Sequence, residues 1–287
     1  NLVYINYLAD VVGVDSSDRK PFNELLDNNA VMAFLRERGY QFVTFASGWT
    51  GVDGLSSADI HMHGKIDLGE FENILLQTTP LVLLFGDEVQ YELHRNKILY
   101  TLEHLPDVAE FARPTFTYAH VMLPHPPFVF DEEGNKIQHD IPFSLADSVW
   151  KLFEGRTVED YIELYRAQVV YTDQRILQTV HEILARSPKP PIVILQSDHG
   201  PGAFLEWEKP TEVALRERFS ILNAYYFPDK EAYESLYNSI TPVNSFRVVL
   251  NEYFNTDYEL LEDKNYFSSF YTPYQFSDIT ARLLKSI

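Results

Sequence analysis

The sequence predicts an α/β fold: a three-layer α/β/α sandwich with a mostly parallel central sheet. Four short segments have the apolar and aromatic runs typical of strands, and apolar residues at helical spacing lie between them. The longest helical pattern, residues 157–187, leads directly into the most apolar strand, as the crossover helix of a parallel βαβ unit does. The predicted strands are residues 42–46, 116–123, 192–196 and 221–227.

Helix boundaries follow from capping residues and glycines. Two asparagines, residues 28–29, precede a helical pattern that stops at Gly39, a residue favoured just after a helix. Thr157, with Asp160 three residues later, predicts a capped start for the long helix. The other predicted helices are residues 68–85 and 89–111, separated near Gly86, and residues 242–254.

Length and composition predict one large globular domain. A chain of 287 residues with 45% hydrophobic side chains can bury a sizeable core. No internal repeat, low-complexity tract or linker rich in proline, glycine or serine divides it. We therefore predict a single domain over residues 1–287.

Charge and cysteine content exclude several functions. The formal net charge is −19, from 42 acidic and 23 basic side chains, and this charge repels a nucleic-acid backbone. Cysteine is absent, so a bound metal must be held by oxygen and imidazole nitrogen. The apolar runs at residues 80–85 and 191–195 are far shorter than the roughly 20 residues that span a bilayer. Any membrane attachment is therefore expected only through segments outside this chain.

A carboxylate and an imidazole at the end of one predicted strand form the main candidate site. In the stretch KPPIVILQSDHGPG, residues 189–202, an apolar run ends in Asp198 and His199. The carboxyl edge of a parallel sheet is where α/β proteins bind ligands, and these two groups together suit a divalent cation. Gly200 and Gly202 allow a sharp backbone turn there. The alternative is a plain turn with His199 at its rim.

A second candidate lies in PTFTYAHVMLPHPPFVFDEEGN, residues 114–135. Prolines around His125 end the strand and hold this histidine in a stiff turn. A fixed, protonatable imidazole can stabilise the oxygens of an anionic ester or protonate its leaving oxygen. A purely structural turn is the alternative. His120 lies on the strand itself and is interpreted as a core histidine or a partner of the site.

Two other segments are weaker and less specific indications of a binding site. His61 and His63 have the alternate spacing that places two rings on one face of an extended segment, but exposed loop histidines are common. The polar loop at residues 47–51 follows a predicted strand and lies at the same sheet edge as Asp198 if the strands are parallel. A simple polar turn is the favoured interpretation of this loop.

The order of these motifs resembles the alkaline phosphatase superfamily, particularly its sulfatase-like and phosphoethanolamine- or lipoteichoic-acid-transferase branches. The resemblance rests on the apolar strand ending in Ser-Asp-His-Gly, the aromatic strand after it, the Leu-Pro-His-Pro-Pro-Phe loop and the run SITPVNSFRVVLNEYF. It implies a metal-dependent hydrolase or transferase acting on phosphate or sulfate esters, either small molecules or lipid- or glycan-linked. It also implies one divalent metal (Mn, Mg, Zn or Ca) on Asp198 and His199, and substrate binding by His125 and His120.

The resemblance further implies an extracytoplasmic domain, periplasmic or at the cell surface, whose parent protein is membrane-anchored. It is incomplete in one respect: the family needs a hydroxyl nucleophile and an acidic ligand after its first strand. We expect both to lie upstream of Asn1, because Thr44, Ser47 and Thr50 belong to a later strand in the family order. The 287-residue chain alone is therefore expected to be inactive on these esters, and a form extended upstream to be active. The alternative is a catalytically incomplete binding or scaffold domain.

Two geometric expectations complete the hypothesis. The four predicted strands should lie in one parallel-rich sheet. His125 should lie across a single crevice from Asp198 and His199, because both motifs end strands at the same sheet edge.

Overall fold

A computed structural model describes residues 12–49, 52–53, 55–65, 75, 78–79, 82–146 and 157–284. The chain divides into two compact units. The central unit is Leu35–Pro188, and the terminal unit combines Asn1–Phe34 with Lys189–Ile287. The expectation of a single domain stays a prediction.

Helices and strands are interspersed along the chain, as expected for an α/β fold. In chain order they are α1 (Lys20–Asp27), α2 (Ala30–Arg36), β1 (Gln41–Phe45), β2 (Ile60–Met62), α3 (Val82–His104), a 3₁₀ helix (Leu105–Glu110), β3 (Thr115–Tyr118), α4 (Val158–Arg186), β4 (Val193–Gln196), α5 (Glu212–Phe219), β5 (Asn223–Tyr226), a 3₁₀ helix (Glu231–Ser235), α6 (Pro242–Phe254), β6 (Tyr266–Phe267), β7 (Ser277–Asp278) and α7 (Thr280–Leu284).

The central unit contains a parallel sheet of three described strands in the order β2-β1-β3. The middle strand, β1, pairs Val43 with Ile60 on one side and Phe42 with Phe116 on the other. Four of its five residues are buried, as expected for the middle of a covered parallel sheet. This sheet and its flanking helices confirm the α/β class.

The long helix α4 begins where its capping residues predict. The Thr157 hydroxyl accepts a hydrogen bond from the Asp160 backbone N–H, and the Asp160 carboxylate accepts one from the Thr157 N–H. The predicted helix break near Gly86 is wrong, because α3 is continuous from Val82 to His104. A single glycine inside a helix costs only about 1 kcal/mol, which neighbouring turns outweigh. One buried cluster of this unit comprises Tyr91, Ile98, Leu102, Met122, Val129, Phe130, Phe143 and Tyr171.

The terminal unit corrects the predicted sheet. Strand β4 pairs with β5 in an antiparallel ladder, with Val193 opposite Tyr226 and Gln196 opposite Asn223. Among the described strands, β4 and β5 form their own two-stranded sheet, so the four predicted strands do not share one parallel sheet. The connection explains this pairing: the Gly200 N–H, just after β4, donates to the carbonyl of Arg218 near the end of α5. The chain therefore returns beside the end of β4, so β5 runs in the opposite direction and the two strands pair as antiparallel neighbours.

All four residues of β4 are only partly buried, despite the apolar sequence of this strand. Strand β4 packs on one side against a cluster formed by Phe227, Ala232, Val248 and Val249. Two of these four residues come from α6, whose bounds match the prediction of residues 242–254. None of the helices in the described ranges combines the length and apolarity needed to cross a bilayer.

Candidate active site

The first candidate centre lies at the end of β4 in the terminal unit. The Ser197 N–H donates to the carbonyl of Leu222, which extends the β4–β5 pairing up to the motif (2.9 Å). One carboxylate oxygen of Asp198, Oδ1, accepts the backbone N–H of His199 at 2.9 Å. The other, Oδ2, lies 3.5 Å from the His199 Nε2 atom. The two side chains of the predicted pair therefore converge on one point.

The tautomer of His199 follows from its other ring nitrogen. Nδ1 lies 2.9 Å from the carbonyl oxygen of Gly200, and a carbonyl can only accept, so Nδ1 carries the proton. Nε2 is then the basic nitrogen that faces Asp198. Histidines that bind metals usually have this arrangement, with one nitrogen on a carbonyl and the other on the ion.

The spacing of this pair fits a shared cation. Two ligands about 2.1 Å from one ion at a tetrahedral angle lie about 3.4 Å apart. The observed separation between Asp198 Oδ2 and His199 Nε2 is 3.5 Å. Within the described residues, however, no group of three or more histidine, aspartate or glutamate side chains is placed to hold a metal. The pair therefore fits two positions in the coordination sphere of one ion. Further ligands would have to be other groups.

Helix α5 fixes the loop that carries this pair. A side chain at Gly200 would overlap the carbonyl oxygen of Glu217 and lie 2.9 Å from that of Ser220. The Arg218 guanidinium donates to the Gly200 carbonyl at 3.1 Å, and the same guanidinium lies over the Trp207 ring. Only glycine allows this approach, so the glycine of Asp-His-Gly is required by packing against α5.

The second candidate centre, around His125, lies in the central unit. His125 is partly buried and follows β3, whereas residues 126–130 after it are buried. Its Nδ1 atom contacts the carbonyl oxygen of Pro126, so Nδ1 carries the proton and Nε2 is the basic nitrogen. The Trp49 indole lies beside the imidazole, with ring centroids 6.0 Å apart. The ring is thus held between a proline carbonyl and an aromatic side chain.

One further group, His94 on α3, lies near both His125 and Lys97. His94 is 6% exposed, and burial together with the charges of His125, Lys97 and His139 lowers its pKa to about 3. His94 is therefore neutral at physiological pH. The Lys97 ammonium lies close to Gly48, whose φ is +78°, in the loop after β1. A neutral His94 thus lies within electrostatic range of both His125 and Lys97.

The other sequence candidates have structural partners. His120 is partly buried just beyond β3. The rings of His61 and His63 lie on one face of the β2 segment, 5.7 Å apart, as their spacing predicted. Yet His61 Nδ1 is bonded to the buried Thr44 hydroxyl (2.9 Å), and His63 Nδ1 to the carbonyl of Gly64. The contact with Thr44 favours a structural role for His61, whereas His63 keeps Nδ1 on the following carbonyl as His199 does.

Side-chain hydrogen bonds stabilise the loop after β1. The Ser47 N–H donates to the Asp53 carboxylate at 2.8 Å, and the Ser47 hydroxyl accepts the Trp49 N–H at 3.1 Å. These bonds orient Trp49 towards His125. Thr50 and Gly51, two of the predicted loop residues, lie outside the described residues.

Sequence reasoning missed the residues that hold the His125 loop. Gln168 on α4 and Arg95 on α3 both bond to its backbone. The chain turns at residues 128–135, and Phe130 and Lys136 form an antiparallel bridge across this turn. The signal for Gln168 was present: it is a polar residue at a core-facing position among apolar ones.

The two centres lie in different units, His125 in the central unit and the Asp198–His199 pair in the terminal unit. Their meeting across one crevice therefore stays a prediction. Within each unit, candidate residues that are neighbours in the sequence also lie close together in the structure. The structure adds Trp49 and His94 to the surroundings of His125, and it places Lys97 near His94.

A match to a family model, not the α/β fold or the Asp-His pair alone, places this chain in the alkaline phosphatase-like superfamily. The model of one family, described as Sulfatase, matches residues 14–238, which is more than half of the chain. The chain therefore belongs to the sulfatase family. Neither the curated proteins nor the solved structures include a significant match to it.

Proposed function

We propose that this domain hydrolyses or transfers a phosphate or sulfate ester with the help of one divalent cation, held in part by Asp198 and His199. The family membership supports a sulfatase-like hydrolase or transferase. The observation that carries the metal assignment is the 3.5 Å approach of Asp198 Oδ2 and His199 Nε2. The proposal includes Mn, Mg, Zn and Ca, because a carboxylate suits Mn, Mg and Ca and an imidazole suits Zn.

A cation on this pair would act as a Lewis acid and withdraw charge from the ester oxygens. The protein groups have separate tasks. The Gly200 carbonyl holds the His199 proton on Nδ1, and the Asp198 side chain keeps one oxygen, Oδ1, on the His199 backbone N–H. Both side chains are thus oriented before a ligand binds, which reduces the entropy lost on binding.

We propose that His125 contacts the anionic oxygens of the ester, with His120 and Lys97 nearby. Nδ1 of His125 is occupied by the Pro126 carbonyl, so Nε2 is the nitrogen that can donate to an oxyanion when protonated. Lys97 adds a permanent positive charge, and the low pKa of His94 keeps a second buried cation from forming there. Trp49 supplies an apolar wall beside the imidazole.

The substrate class follows from the same groups. A small or lipid- or glycan-linked ester presents a compact anion, which one imidazole and one ammonium can neutralise. The net charge of −19 opposes binding of a polyanion. We further propose that the domain works outside the cytoplasm, and that the parent protein is attached to the membrane through segments other than this chain.

The test is hydrolysis of chromogenic phosphodiester, phosphomonoester and sulfate substrates by the full-length protein. Each reaction is run with Mn²⁺, Mg²⁺, Zn²⁺ or Ca²⁺ and after chelation. We expect turnover that requires a cation and is lost in Asp198→Ala and His199→Ala. The control is His63→Ala, because His63 makes the same contact to a following carbonyl but lies on the segment after β2, not at the end of β4. Turnover that survives Asp198→Ala would show that the active site lies elsewhere.

One observation favours a second function, a binding or scaffold domain without catalysis. Among the described residues, the Asp198–His199 pair does not belong to a set of three metal-binding side chains. A full-length protein that binds no metal and turns over none of these substrates would support this alternative.

A further inference from the structure

Gln168, in the middle of α4, is 0% exposed and uses both ends of its side-chain amide. Its Oε1 atom accepts the backbone N–H groups of Val129 and Phe130, at 2.8 and 3.2 Å. Its Nε2 atom donates to the carbonyl oxygen of His125 at 3.1 Å. One buried side chain therefore joins the helix to three backbone groups of the loop that carries His125.

These partners leave one orientation for the amide. The two N–H groups can only donate and the carbonyl can only accept. A flipped amide would therefore place donor against donor and acceptor against acceptor at every contact. An apolar side chain at this position would leave all three buried backbone groups without these bonds. Unmade bonds of buried groups are costly, so the position requires a glutamine-like side chain.

The bonds fix both ends of the segment from His125 to Val129. Between them, Pro126 and Pro127 have restricted φ angles. With its backbone held in this way, the His125 ring keeps its Nδ1 atom on the Pro126 carbonyl. We propose that Gln168 is the positioning residue that sets the orientation and tautomer of His125. This inference rests on the proposed function, in which His125 contacts the ester oxygens.

Arg95 holds the other part of the loop. Its guanidinium donates to the carbonyls of Val129 and Gly134, at 3.0 and 2.9 Å, and lies over the Phe130 ring. Arg95 therefore braces the turn at residues 128–135, whereas Gln168 reaches the His125 carbonyl itself. The two side chains divide the support of one loop between α3 and α4.

The kinetic test compares Gln168→Met with a matched control, Thr179→Val, in the full-length protein. Thr179 lies on the same helix, is 3% exposed and donates to the Leu102 carbonyl, away from the His125 loop. We expect Gln168→Met to lower kcat by about 10–100-fold, because misplacement of a catalytic group has this effect, with a much smaller change in KM. Thr179→Val should keep kcat within about twofold of wild type. In a His125→Gln background, Gln168→Met should have little further effect on kcat.

The spectroscopic test follows the His125 ring directly, by ¹⁵N correlation spectra of the histidine-labelled protein. The His125 signal is identified by its loss in His125→Gln. We expect the Nδ1–H tautomer in wild type and Thr179→Val, and a tautomer mixture in Gln168→Met. Gln168→Glu keeps the acceptor for Val129 and Phe130 but lacks the N–H donor for the His125 carbonyl, so we expect the tautomer mixture in this variant too. It provides the test if Gln168→Met does not fold.

These outcomes separate the two proposals. If His125→Gln leaves kcat unchanged, the role of His125 in the proposed function is wrong, and the tautomer spectra alone decide whether Gln168 positions the ring. If His125→Gln abolishes turnover but Gln168→Glu keeps both kcat and the native tautomer, the positioning role is wrong. Equal losses in Gln168→Met and Thr179→Val would also overturn it, because they would indicate a general loss of helix packing.

Discussion

The Oδ2 atom of Asp198 lies 3.5 Å from the Nε2 atom of His199, on side chains that are neighbours in sequence. Adjacent residues in an extended strand point to opposite faces, so this convergence requires that the strand has ended. Strand β4 ends at Gln196, and the packing of Gly200 against α5 turns the chain immediately afterwards. The convergence of the two side chains is therefore a consequence of the turn.

The first prediction concerns metal binding by this pair. Asp198→Ala or His199→Ala should weaken Mn²⁺ binding by at least about tenfold, since each removes one of two converging ligands. Isothermal titration calorimetry or the Mn²⁺ resonance signal measures the affinity. His63→Ala serves as the control and should leave it unchanged. Equal Mn²⁺ affinity in wild type and Asp198→Ala would exclude this pair as the metal site.

The second prediction concerns His125. His125→Gln should lower kcat for ester hydrolysis by about 10²–10⁴-fold, the usual contribution of a positioned acid or oxyanion contact. The loss should appear mainly in kcat, because the contact strengthens as charge develops on the ester. His181→Gln, on the exposed face of α4, is the control. A change in KM alone would indicate simple substrate binding by His125.

Local signals in the sequence predicted most elements of the fold. Thr157 and Asp160 form the capping box that their spacing indicated, and the Asn29 side chain accepts the Met32 N–H at the start of α2. Gly39, with φ of +85°, ends that helical segment as expected. Such signals depend on neighbours within one turn of helix, so a sequence pattern contains them fully.

Strand partners could not be predicted in the same way. The apolar run of β4 suits a parallel or an antiparallel neighbour, and the choice depends on where α5 returns the chain. The role of Gln168 was hidden for a similar reason. A polar residue in an apolar stripe indicates a buried hydrogen bond, but its partners lie some forty residues away in the loop after β3.

The third prediction tests the packing of the Asp-His-Gly loop. Gly200→Ala should destabilise the protein by roughly 1–3 kcal/mol or more, because a methyl group there overlaps the backbone of Glu217, which cannot move like a flexible side chain. Urea unfolding measures the change. Gly64→Ala is the matched control, since a methyl group there meets the Tyr100 ring at an ordinary 3.8 Å. The control should stay within about 0.5 kcal/mol of wild type, and equal stability of both variants would contradict the close packing.

The last prediction uses the buried His94. Burial, with the nearby charges of His125 and Lys97, lowers its pKa from 6.5 to about 3. Between these two values the unfolded chain takes up a proton that the folded protein does not, so acid favours unfolding. The stability that neutral His94 contributes is fully present above pH 6.5. Below pH 6.5 this contribution decreases by about 1.4 kcal/mol for each pH unit. His94→Gln removes this dependence, so its stability relative to wild type should rise as the pH falls from 7 to 5. Urea unfolding at each pH measures the difference. The exposed His181→Gln should run parallel to wild type, and a parallel course for His94→Gln would show that His94 titrates normally in the folded protein.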